Sequence, residues 1–96
     1  MDKLKKFELM EKIANELEDL KNSQVAVLTK IAKIEVDNME LGNKKLEDKL
    51  PDMHQSAADS VDAIADILAN FEEIKDQYES NNNIDGLREQ DLIDNR

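Results

Sequence analysis

An all-α fold, a long helix with a shorter one folding back against it, is what this sequence predicts. Three observations carry the expectation. The first 50 residues hold one glycine and no proline and are filled with Lys, Glu, Leu, Ala and Ile, which favour or tolerate helix. Their apolar side chains recur at spacings of three and four, a period that a strand cannot reproduce. The single proline of the chain stands in Leu50-Pro51-Asp52, and proline removes an amide donor and biases the residue before it away from helical geometry.

The first element is therefore expected to be one helix over residues 1–50. With Met10 at heptad position a, the a positions are Met10, Leu17, Gln24, Ile31 and Asn38, and the d positions are Ile13, Leu20, Val27, Ile34 and Leu41. A seam of this kind sustained over four heptads predicts a coiled coil. Beyond Leu41 the pattern drifts: Lys45 and Asp48 fall on the seam while Met39, Leu46 and Leu50 turn to one side. Such a drift accompanies a change of partner along a helix.

Residues 51–80 are expected to form the second helix, capped by Ser56 or, a turn earlier, by Asp52. Its apolar stripe is Val61, Ile64, Leu68, Phe71 and Tyr78, widened by Ile67 and Ile74, and the two aromatic residues read as core. Asp59, Asp62, Asp66, Glu73 and Asp76 fall in line on the other face. The polar run from Ser80 to Asn83 ends this helix, and residues 81–96 are a polar turn followed by a short helix or a flexible tail, with Asp85-Gly86 expected to take the positive φ.

Lengths then constrain association. A first helix of about 48 residues would run about 70 Å and a second of about 24 only about 36 Å, which would leave Met10, Ile13, Leu17 and Leu20 without a partner in the same chain. The expected oligomer interface is therefore Met10, Ile13, Leu17, Leu20, Gln24, Val27, Ile31 and Asn38, in a homodimer or higher oligomer. Polar Gln24 and Asn38 at a positions suit self-pairing across a parallel dimer, with Glu16 meeting Lys21 and Lys30 meeting Glu35 between chains. Asn38→Ile is then expected to raise stability and loosen oligomer specificity. In the competing reading those charges are a solvated face and Asn38 marks where the helix leaves the seam.

Charge separates the two halves. The net charge is −10 at pH 7; residues 1–50 carry 11 acidic and 10 basic residues, residues 51–96 carry 12 acidic and 3 basic. An acidic half has the wrong sign for neutralising phosphates, so no direct nucleic-acid binding is expected and a basic protein partner fits better. No stretch of 18 apolar residues occurs, so no membrane span is expected, and the lysine-rich amphipathic start is no signal peptide, which makes a cytoplasmic location the simplest expectation.

Catalytic constellations are missing. Without cysteine and with His54 as the one histidine, thiolate metal sites, cysteine nucleophiles and histidine-rich cages are excluded, and no phosphate loop is present. No enzyme activity, cofactor or metal is expected. Asn81 to Gly86 imitates the start of a calcium loop, but Leu92 stands where the bidentate carboxylate belongs. His54 with Asp52 and Asp59 near the turn could be a small polar cluster, and reads more simply as solvated.

In size and hairpin shape the chain is similar to the small helical-hairpin proteins of type VII secretion, whose WXG members carry Trp-x-Gly at the turn; here the turn reads Leu50-Pro51-Asp52 and tryptophan is absent. The run from Val36 to Leu50 also resembles coiled-coil segments of bacterial replication-control and division adaptors. The expected function is that of a non-enzymatic interaction protein, an adaptor or chaperone-like subunit working by helix-to-helix burial. Two alternatives stand beside it: an acidic mimic of nucleic acid that inhibits a DNA- or RNA-binding protein, and a helper or cargo of a secretion or phage-assembly system.

Overall fold

The computed structural model of the chain describes residues 1–94. Three helices follow one another: α1 (Lys3–Leu41), α2 (Lys44–Asn81) and α3 (Ile84–Asp94). Among the described residues there is no strand. The first two helices are antiparallel arms of nearly equal length, 39 and 38 residues, so the hairpin is symmetric rather than lopsided. Its extents are 66 × 25 × 17 Å.

The turn lies at Gly42-Asn43, not at Leu50-Pro51-Asp52. Gly42 takes the left-handed conformation, with φ 73° and ψ 29°, and its N–H donates to the carbonyl of Asn38 at 2.7 Å. A side chain there would be strained. Asn43 then caps α2, its side-chain oxygen accepting from the Leu46 N–H at 3.0 Å. Helix α2 runs on through Pro51 without a break. Residues 44–50 belong to the second arm, and this moves every pairing of the hairpin.

Asn38 is buried, and its side chain seals the turn. Its Nδ2 donates to the Asn43 carbonyl at 3.1 Å, while its Oδ1 accepts from the Asn43 N–H at 2.9 Å. Asn38 therefore pairs with the backbone of its own chain, and the expected pairing across a parallel dimer is replaced. The expectation for Asn38→Ile reverses with it. Losing two hydrogen bonds worth about 1 kcal/mol each, partly offset by apolar burial, should destabilise the chain by about 1–2 kcal/mol. Urea denaturation of both proteins at equal concentration measures it.

Between the arms the seam is thin and partly polar. On α1 the residues turned inward are Phe7, Met10, Ala14, Leu17, Lys21, Gln24, Leu28, Ile31, Glu35 and Asn38, an unbroken alternation of three and four. On α2 they are Leu50, His54, Ala57, Val61, Ile64, Leu68, Phe71, Lys75 and Tyr78. Ile31, Leu50 and Ala57 form its best-packed cluster, with Leu28 and Leu46 against it.

Helix α3 closes the open end. Asn83, with φ 48°, makes the turn that Gly86 was expected to make, and Gly86 lies within α3. A Cβ on Gly86 would sit 2.4 Å from Asn83 Nδ2, so glycine here makes room for the turn residue. Ile84 and Phe7 are the most deeply buried side chains, at 0% and 2% exposure. Arg88 stacks on the Phe7 ring, its Cζ 4.9 Å from the centroid, and pairs with Glu11.

Candidate interaction surfaces

Five residues of the expected oligomer interface, Met10, Leu17, Gln24, Ile31 and Asn38, lie in the seam inside the chain. The longer α2 covers them. Ile13, Leu20 and Val27 lie beside the seam, and Ile34 and Leu41 continue their line at intervals of seven. Leu20 and Val27 are each 45% exposed.

The second arm carries a matching line. Met53, Ile67 and Ile74 are exposed, and Ser60 completes the interval of seven. Two contacts fix how the arms are aligned: His54 Nδ1 lies 2.5 Å from Glu35 Oε1 near the turn, and the Tyr78 hydroxyl donates to the Lys3 carbonyl at 3.2 Å at the far end. In that alignment Val27 is level with Ser60, Leu20 and Ile34 lie about half a turn from Ile67 and Met53, and Ile13 lies about a turn from Ile74. Val27, Met53 and Ser60 line one shallow groove, which places both lines on the same face of the hairpin. Helix α3 is held at Phe7 and Glu11, and Glu11 lies on the opposite side of the seam from Ile13. The apolar face is thus left open.

Spacing alone places Ile13, Leu20, Val27, Ile34 and Leu41 on the same seam as Met10 and Leu17, which hides this face. An apolar run with residues at three adjacent heptad positions has two seams, and only the pairing with α2 shows which is used within the chain. Three of the four charges expected to pair between chains have neighbours of opposite charge in their own chain: Glu16 lies 3.9 Å from Lys12, both exposed, Lys21 lies 3.6 Å from Glu18, and Glu35 meets His54.

A second surface is the acidic one. Asp59, Asp62, Asp66, Glu73 and Asp76 are all exposed on the side of α2 facing away from α1. Asp59 accepts a hydrogen bond from the Gln55 amide at 2.9 Å, and among the described residues none of the five forms an ion pair. Fixed helical spacing makes this a row of charge without counter-charge on its own helix face.

The polar cluster near Pro51 is divided by the fold. His54 turns inward to Glu35, while Asp52 and Asp59 stand exposed. Among the described residues no group of three His, Asp or Glu side chains is placed to hold a metal ion, and no helix is long and apolar enough to cross a membrane. Buried side-chain polar atoms among the described residues all have partners. Comparison of the chain with protein-family models, with curated proteins and with solved structures finds no match.

Proposed function

We propose that this protein is a non-enzymatic helical interaction protein, an adaptor or chaperone-like subunit that works by burying the apolar face of its hairpin against another helical surface. The observation that supports the reading is a pair of lines lying side by side on one face, half-buried Ile13 with exposed Leu20, Val27 and Ile34 on α1, and exposed Met53, Ile67 and Ile74 on α2 with Ser60 between them. Scattered exposed apolar residues are ordinary, but a contiguous stripe at heptad spacing is a docking surface. Apolar burial is worth about 25 cal/mol per Å² and is weakened little by salt.

The acidic row on α2 supports a second reading, a mimic of nucleic acid, whose affinity for a basic partner would fall steeply with ionic strength. A role as helper or cargo of a secretion or phage-assembly system rests on size and hairpin shape. Photo-cross-linking in the native cell separates the first two, with a reactive side chain placed at Leu20 in one protein and at Asp66 in another. Cross-links from position 20 that persist in extracts at 500 mM salt are expected. Cross-links from position 66 alone, to a protein that duplex DNA or RNA displaces, would make the mimic the better reading.

A further inference from the structure

We propose that the occupant of the open apolar face is a second copy of this chain, docked face to face in an antiparallel four-helix bundle whose two-fold axis passes beside Ser23 and Ala63. The inference rests on the reading of the chain as an interaction protein and names the partner of that surface.

Surface area is the first argument. The chain exposes 7191 Å², whereas a compact monomer of 11.0 kDa exposes about 5,600 Å². Its radius of gyration is 20.8 Å, against about 12.5 Å for a compact domain of this length. The four apolar levels from residue 13 to residue 34 span about 32 Å along two helices each about 10 Å wide. Two such faces together bury about 1,300 Å² before side-chain relief is counted, within the range of stable specific interfaces.

Shape gives the orientation. A two-fold axis crossing the face midway between the inner levels sets Leu20 of one copy on Val27 of the other, and Ile67 on Ser60. Large then meets small at every inner contact, and the groove beside Ser60 and Ala57 receives a side chain. The alternative axis, along the hairpin, sets Val27 against Ser60 and leaves that groove unfilled.

Charge agrees. The charged residues directly flanking the stripe are Glu16, Asp37, Lys30 and Lys49, a net charge of 0 on a chain of −10. The five acidic residues from Asp59 to Asp76 point away from it. About the proposed axis Glu16 of each copy faces Lys30 of the other, while like charges do not meet. A surface this close to neutral suits self-association in a way the remainder of the chain does not.

The test uses the full chain, which has no native cysteine. Sedimentation equilibrium of the unaltered protein should give twice the monomer mass, and Leu20→Glu should raise the dimer dissociation constant at least a hundredfold with helicity by circular dichroism unchanged. Val36→Glu, on an exposed position off the face, should leave it within threefold. Ser23→Cys should be joined between copies by a short bis-maleimide, and Asn15→Cys should not. A monomer at all concentrations overturns the proposal, as does a dimer indifferent to Leu20→Glu or one linked as well through position 15 as through 23. Cross-links from position 20 to a different protein in the cell, with no dimer in solution, would overturn it while leaving the interaction reading standing.

Discussion

Phe7→Ala is expected to cost about 3–5 kcal/mol of unfolding free energy, because it opens a cavity at the end of the hairpin that α3 closes. Phe7 is 2% exposed, Arg88 stacks on its ring, and Ile84 is fully buried at the same end of the hairpin. Residues this deeply covered are few: the buried apolar set is Phe7, Ala14, Ile31, Leu50, Ala57, Ile64, Leu68 and Ile84, two of them alanine. A core so thin has no surplus contacts to redistribute. Urea denaturation at fixed protein concentration gives the total loss. Hydrogen exchange should show it concentrated in α3 and the first turns of α1, while the turn at Asn38 and Asn43 keeps its protection.

Pro51→Ala should do the opposite. Pro51 lies inside α2 with no amide to offer the carbonyl one turn earlier, and its ring is exposed. An interior proline costs a helix about 3 kcal/mol relative to alanine, and the restriction that proline places on the unfolded chain returns up to about 1. A net gain of about 2 kcal/mol follows, which for a chain of this size is a rise in melting temperature of about 8–16 °C. A fall instead would show that a bend at Pro51 is needed to bring Leu50 onto Ile31, and would make the residue a shaping element of the hairpin.

These two positions also show where the fold was legible in the sequence. Helix content, the inward aromatic residues Phe71 and Tyr78 and the outward acidic row follow from composition and spacing, and the antiparallel hairpin from a break between two amphipathic stretches. The position of the turn does not. Pro51 is the stronger local breaker, yet Gly42 and Asn43 end one helix and start the next with left-handed geometry, a capping oxygen and the reciprocal bonds of Asn38. A proline can be carried inside a helix that is packed on both sides of it, as Leu50 and Ala57 are against Ile31. Eight residues of error in the turn moved the pairing of every level, so Met10 and Leu17 appeared bare when α2 in fact reaches them. The same shift hid Glu35 as the partner of His54, since no local pattern joins residues 19 apart.

The apolar face was half legible. Ile13, Leu20 and Val27 stood among the residues expected to meet another chain, but Met53, Ile67 and Ile74 were absorbed into the second helix or left unassigned. Only the alignment of the two arms brings both lines together, because it depends on where the turn sits. Asn38 is a polar residue on a seam, as its heptad position indicates, but its partner lies five residues on in the same chain rather than in a second copy.

Sedimentation equilibrium of the unaltered protein at tens of micromolar, repeated at 50 mM and 500 mM salt, tests the central claim most directly. Association through the apolar face predicts a mass of about 22 kDa that salt leaves unchanged or favours, since apolar burial dominates and added ions screen the repulsion of two chains of charge −10. A clean monomer of 11.0 kDa at both salt concentrations would contradict it.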